Sequence, residues 1–202
     1  MLRGSSTPLR CARNHLSAVL LAGGESRRMG TDKATLLFRG KPLWQVQLET
    51  LRRLRPVEIF ISARTDSTWR PADVQFVADI PPSCGPLSGL AACLTKIHTG
   101  HLLVLAIDMP AMTGRYLRSL CDLVEPGRGV VAKIGLRSEP LAAIYPRQAE
   151  IDFHTALAGT DFSLQHIICR LVASGKLLEV SVTEQDRPLF QNINTMSRAH
   201  GA

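Results

Sequence analysis

The sequence predicts an α/β fold in which a mostly parallel sheet lies between layers of helices, and three observations support this prediction. Residues 17–22 and 101–107 are continuous apolar runs, as expected for strands that are buried on both faces. Segments with helical spacing of apolar residues follow these runs along the chain. Strands that alternate with helices favour parallel pairing, because each helix returns the chain to the same edge of the sheet.

The strands are predicted from short apolar runs bounded by turn residues. The first run stops at Gly23 and Gly24, and the second reads VEIFIS. The predicted strands are residues 17–22, 57–62, 74–78, 101–107, 129–134, 141–145, 176–182 and 189–193.

The helices are predicted from apolar spacing together with start and stop signals. Pro42 and Pro86 begin two of them, because a first-turn residue needs no N–H donor. Gly100 ends the helix that Pro86 begins, and Gly175 closes the last predicted helix. The predicted helices are residues 42–55, 86–100, 114–124, 149–157 and 164–173.

Length and composition indicate one globular domain. The 202 residues suit a single domain over residues 17–202, and residues 1–16 are expected to be a disordered lead-in. No apolar run is long enough to cross a bilayer, so we expect no membrane partner. We also expect a cytoplasmic protein that is a monomer or a weak homo-oligomer. The five cysteines lack C-x-x-C spacing, which argues against a zinc site or a disulfide framework.

The positive charge is concentrated near the amino terminus. Residues 1–56 hold eleven lysine and arginine residues and three acidic ones, a net charge of +8, whereas residues 57–202 carry −1. A basic region suits either nucleic acid or a small phosphorylated substrate. Aromatic residues make up only 5% of the chain and no nucleic-acid motif is present, so the small anion is favoured and no nucleic-acid partner is expected.

The stretch AVLLAGGESRRMGTDKATL follows the first predicted strand and suggests a phosphate site. Glycines at Gly23 and Gly24 let backbone N–H groups approach an anion, and Arg28 and Lys33 add positive charge nearby. The spacing matches neither a Walker loop nor a dinucleotide fingerprint, and a glycine pair alone can be a simple turn. The glycines, two arginines and a lysine together favour a phosphate cradle.

Polar residues also follow other predicted strands. Asp108 follows the apolar run in LAIDMP, where a carboxylate is costly unless it is paired or binds a cation, so it is the candidate Mg²⁺ ligand. Asp79 follows the third strand, and GPLSGL, which begins at Gly85, could receive a base or sugar or simply begin a helix. Asn192 and Asn194 are predicted to share one face of an extended segment, or to be turn residues.

These motifs together resemble the MobA-like nucleotidyltransferases. LAGGESRRMGTDKA is similar to the family signature L-A-G-G-x-S-x-R-M-G-x-D-K, and RGKPLWQ, GPLSGL, AIDMP and NINT follow in the family's order. The resemblance covers residues 17–195. It implies a Rossmann-like three-layer α/β/α nucleotidyltransferase fold with a mostly parallel sheet.

The resemblance implies a role for each matching residue. Leu21, Ala22, Gly23 and Gly24 would contact a nucleotide, and Ser62 and Asp79 would contact its nucleoside. Arg28, Lys33 and Asp108 would form the catalytic set, with Lys33 and Asp108 also binding the nucleotide. Gly85, Asn192 and Asn194 would bind the second substrate, and Asp108 and Asn194 would hold Mg²⁺.

The resemblance also implies a reaction. NINT and GKPLWQ are closest to family members that transfer GMP from GTP to molybdopterin with release of pyrophosphate, and the product would pass to molybdoenzyme apo-proteins or their chaperones. Ser62 stands where the family often has asparagine, which leaves guanine and cytosine open as the base. A sugar-phosphate nucleotidyltransferase and a non-catalytic nucleotide- or cofactor-binding accessory protein are the alternatives.

Overall fold

The computed structural model describes residues 16–23, 32–81 and 83–193. The strands, numbered along the chain, are β1 (Leu16–Leu21), β2 (Leu37–Phe38), β3 (Lys41–Pro42), β4 (Glu58–Ala63), β5 (Gln75–Ala78), β6 (His101–Ala106), β7 (Gly129–Ile134), β8 (Arg137–Pro146) and β9 (Leu177–Ser181). Seven of them form one sheet in the order β5-β4-β1-β6-β8-β7-β9, and β2 pairs with β3 in a separate small hairpin.

The sheet is mostly parallel, as predicted. Strands β5, β4, β1 and β6 pair in parallel, and so do β7 and β9. Strand β8 runs antiparallel to both β6 and β7. Its direction follows from the connection to β7, because a turn of two residues around Gly135 can join only antiparallel strands.

Helices cover both faces of the sheet. They are α1 (Leu43–Arg52), α2 (Pro86–Lys96), α3 (Gly114–Cys121), α4 (Glu150–Ala158) and α5 (Leu164–Ala173). Along β1, Val19 packs with the cluster that includes α2, α4 and α5, whereas Ala18 and Leu20 pack with the cluster that includes α1 and α3. Two-sided burial explains the continuous apolar runs, and the three-layer fold is confirmed.

The structure departs from the prediction most clearly in three places. In place of the strand predicted at residues 189–193, Arg187–Phe190 form a 3₁₀ turn. Pro188 suits the first turn, where no N–H donor is needed, and Phe190 packs edge-on against Tyr116. Helix α2 ends at Lys96, since Ile97 is extended, rather than continuing to residue 100. The β2–β3 hairpin was not predicted, because two-residue strands leave no periodic signal.

The strand directions determine where the polar residues meet. Because β5, β4, β1 and β6 are parallel, their carboxyl ends lie along one edge of the sheet. The residues that follow these strands therefore lie close together, which is where open α/β sheets bind ligands. Within the described ranges, no helix has the length and apolar character needed to cross a membrane.

Candidate active site

A cavity of about 160 Å³ opens at the carboxyl ends of β1 and β6. The predicted residues Leu21, Ala22, Gly23, Lys33 and Asp108 all contribute to its wall. The residues that complete the lining are Pro86, Ala106, Ile107 and Leu141. The structure thus brings residues from β1, β6, β8 and the start of α2 around one space.

The end of β1 is fixed by backbone hydrogen bonds to its neighbours. The N–H groups of Ala22 and Gly23 both donate to the carbonyl oxygen of Ser62, at 2.9 and 3.1 Å, and Ile107 N–H donates to the carbonyl of Leu21 at 3.0 Å. We expected N–H groups near Gly23 to face an anion. The N–H groups of Ala22 and Gly23 are instead hydrogen-bonded to β4, so an anion in this cavity must bind to other donors.

Lys33 supplies one such donor. It begins a 3₁₀ turn, Lys33–Thr35, and its Nζ lies 3.8 Å from Oδ2 of Asp108. Both side chains are a little more than one quarter exposed. An ion pair this long and this solvated contributes about 0–1 kcal/mol, so a phosphate could take the place of Asp108 at low cost.

Asp108 is the carboxylate of the cavity. Its carbonyl accepts a hydrogen bond from Ile193 N–H at 2.9 Å, which brings the segment containing the half-buried Asn192 beside it. In the part of the chain that the structure describes, no group of three or more His, Cys, Asp or Glu side chains could hold a metal ion. A single carboxylate nevertheless suits Mg²⁺, which in proteins often takes most of its ligands from water and substrate phosphate.

A second, smaller polar site adjoins the cavity at Gly23. Ser62 is almost fully buried, and its Oγ donates to Oδ1 of Asp79 at 3.1 Å. Ser83 Oγ donates to the other carboxylate oxygen at 3.4 Å. A side chain at Gly23 would meet Oδ2 of Asp79 at 3.4 Å, so this carboxylate lies directly against the cavity wall.

The absence of a side chain at Gly89 makes room for the Ser62–Asp79 pair. A Cβ atom at Gly89 would lie 2.6 Å from Ser62 Oγ and 3.1 Å from Asp79 Oδ1. Beneath the pair, burial raises the pKa of the Cys93 thiol to about 12, and the charge of Asp79 acts in the same direction. Cys93 therefore remains a neutral thiol and is no nucleophile at neutral pH.

The opposite wall comes from β8 and α2. Gly85 is the N-cap residue of α2 and Pro86 lines the cavity beside Leu141. Glu139 lies two residues before Leu141, so strand alternation directs both side chains to the same face. Burial raises the pKa of Glu139, partly opposed by Arg137, so its carboxyl group holds a proton more readily than an exposed one.

The sequence therefore identified most of the residues that the structure brings together, while their functional roles remain predictions. Gly24, Arg28 and Asn194 lie outside the described residues. Sequence reasoning missed Gly89 and Leu141. The isolated glycine inside the GPLSGL helix was a usable signal, because a helical glycine costs stability and usually has a packing reason; Leu141 had no signal beyond its strand.

The pattern of the MobA-like NTP transferase domain matches residues 18–172. A "probable molybdenum cofactor guanylyltransferase" of Opitutus terrae is 35% identical over 89% of this chain and 90% of its own length. The molybdenum cofactor guanylyltransferase of Xanthomonas euvesicatoria is also 35% identical, over 89% of each chain. That of Ralstonia pickettii is 31% identical over 92% of this chain and 94% of its own.

Solved structures share the fold. The molybdopterin-guanine dinucleotide biosynthesis protein A of Archaeoglobus fulgidus superposes with a TM-score of 0.69 and 23% identity, covering 91% of this chain and 96% of that one. A nucleotidyl transferase from Methanothermobacter gives a TM-score of 0.71 with 16% identity, covering 93% and 95%. At these identities the likeness concerns the fold alone.

The space at Gly89 can be tested through stability. We expect Gly89→Ala to lower the free energy of unfolding by about 1–3 kcal/mol, because the new methyl group overlaps Ser62 Oγ. In a Ser62→Ala background, the same change should lower the free energy of unfolding by clearly less. Gly100→Ala, with no atom within 4 Å of the new Cβ, is the control. Chemical denaturation measures all four variants, and equal costs in both backgrounds would contradict the packing described for this pair.

Proposed function

The chain belongs to the MobA-like NTP transferase family, and from that premise we propose that it transfers GMP from GTP to the phosphate of molybdopterin, releasing pyrophosphate and forming molybdopterin guanine dinucleotide. The names of its relatives support this substrate pair. The observation that carries the proposal is the position of Gly23. It borders the cavity of Lys33 and Asp108 on one side and the carboxylate of Asp79 on the other.

This arrangement suits a nucleoside triphosphate. We propose that the phosphates lie in the cavity against Lys33, and that the nucleoside extends over Gly23 toward Asp79. Glycine leaves the most room on this path, since a Cβ atom at Gly23 would already be in van der Waals contact, at 3.4 Å, with both Asp79 Oδ2 and the backbone of Ala63. The loose Lys33–Asp108 pair leaves the ammonium group ready to exchange its partner for a phosphate.

The Ser62–Asp79 pair is proposed to recognise the base or ribose. Asp79 accepts hydrogen bonds from two serines and remains partly exposed, so its carboxylate can accept further donors. Guanine presents an N–H and an amino group side by side on one edge, which a carboxylate can accept together. Cytosine lacks this pair of adjacent donors, and a carboxylate therefore favours guanine.

The reaction needs little covalent help from the protein. An oxygen of the acceptor phosphate attacks the α-phosphorus of GTP, a new P–O bond forms, and the bond to the β-phosphate oxygen breaks to release pyrophosphate. Two anions must approach each other, so positioning and charge neutralisation supply most of the rate. Lys33 supplies positive charge at the cavity, and we propose that Gly85 and Asn192 border the acceptor.

Mg²⁺ fits this site through Asp108. A quarter-exposed carboxylate in a cavity that would hold phosphates matches the usual Mg²⁺ site of one or two carboxylates completed by substrate oxygens. When bound, the ion would supply additional neutralisation of the phosphates. Asn194, which we also propose as a ligand, lies outside the described residues.

A nucleotide panel tests the proposed function. Purified chain with molybdopterin should release pyrophosphate with GTP at least about 10-fold faster than with CTP, ATP or UTP, because only guanine offers two adjacent donors to Asp79. A parallel series with sugar phosphates as acceptors should give no release. Preference for CTP, or transfer to a sugar phosphate, would replace the proposal by the corresponding alternative, and binding without release would indicate an accessory protein.

The role of Asp108 is tested by Asp108→Asn. We expect at least about a 100-fold loss of the transfer rate, because the amide keeps the shape but loses the charge that would hold Mg²⁺. Asp122→Asn, an exposed position at the end of α3, is the matched control and should retain the full rate. Steady-state pyrophosphate release measures both variants, and a wild-type rate in Asp108→Asn removes this carboxylate from the mechanism.

A further inference from the structure

Lys33 is held in place through the residue before it. Asp32 is the N-cap of the 3₁₀ turn, and its Oδ1 accepts the N–H of Ala34 at 2.9 Å. Its carbonyl oxygen accepts the hydroxyl of Thr35 at 2.8 Å. These contacts fix the backbone on both sides of Lys33, and hence the direction in which its side chain leaves the turn.

The second carboxylate oxygen of Asp32 is bound from a distant part of the chain. The indole N–H of Trp69 donates to Oδ2 at 2.8 Å, across a separation of 37 residues. A hydrogen bond to an ionised acceptor is among the stronger ones in proteins. With both oxygens engaged, the carboxylate cannot rotate to another partner without losing one of these bonds.

Trp69 is itself held on two sides. Its ring stacks on Trp44 in the first turn of α1, with ring centroids 5.6 Å apart and planes inclined by 16°. The next residue, Arg70, binds Asp66 through two nitrogens at 2.7 Å each and donates to the carbonyl of Val74. The connection between β4 and β5 is therefore an ordered support for the indole.

The geometry points to Trp69 as a positioning residue that sets the location of the Lys33 ammonium group through Asp32. The inference rests on the proposed function for its ligand, a nucleoside triphosphate. Trp69 lies on the connection between the strand that carries Ser62 and the strand that precedes Asp79. One short segment therefore joins the site proposed for the nucleoside to the lysine proposed for the phosphates.

The test compares two variants, in each of which one tryptophan is replaced by phenylalanine. Trp69→Phe keeps an aromatic ring against Trp44 but removes the donor to Asp32, whereas Trp44→Phe keeps that donor and changes only the stacking partner. Affinity for GTP is measured by equilibrium dialysis without acceptor, so that no turnover occurs. Each substitution is made in the native chain and in a Lys33→Ala background, and thermal unfolding checks that every variant is folded.

We expect Trp69→Phe to weaken GTP binding about 5- to 20-fold in the native chain and less than 2-fold in the Lys33→Ala background, where the positioned group is absent. Trp44→Phe should stay within about 2-fold in both. A purely structural role would lower affinity by the same factor with and without Lys33, and that result overturns the inference.

The two proposals fail in different ways. If the native chain binds GTP and Trp69→Phe binds it equally well, the positioning role is wrong and the proposed function stands. If the native chain binds none of GTP, CTP, ATP and UTP, the proposed function is wrong and the positioning role falls with it.

Discussion

The site depends on a constraint of the backbone: β4, β1 and β6 are parallel neighbours, and all three end at one edge of the sheet. Backbone hydrogen bonds hold the ends of these three strands in a fixed arrangement. They run from Ala22 and Gly23 to Ser62, and from Ile107 to Leu21. Every polar group considered for function leaves the sheet at this edge or is held against it. Without this alignment, Lys33, Asp79 and Asp108 would be unrelated surface charges.

The cavity combines weak and strong interactions in a way that suits exchange of a charged ligand. The Lys33–Asp108 pair is long and solvated, so it yields easily to a phosphate. The contacts that place Lys33 are short and numerous by comparison, and they lie outside the cavity, at Asp32 and Trp69. A binding group that is loosely paired but firmly placed loses little free energy when it changes partners.

Much of this arrangement could be predicted from the sequence. The apolar runs predicted the strands buried on both faces, and Asp108 and Asp79 were selected because each follows a predicted strand, where open α/β sheets bind ligands. The antiparallel direction of β8 was not predicted, because this strand was expected to begin at residue 141 and not at Arg137, which hid the two-residue turn that fixes its direction. The hydrogen bond from Trp69 to Asp32 could not be predicted from the sequence either, because it joins residues 37 positions apart and leaves no local pattern.

A crystal structure with a non-hydrolysable GTP analogue tests the central claim most directly. We expect the triphosphate to lie between Lys33 and Asp108, and the nucleoside to pass Gly23 and reach the Ser62–Asp79 pair. A nucleotide bound away from this edge of the sheet, or one whose base lies against Leu141 and makes no contact with Asp79, would contradict it.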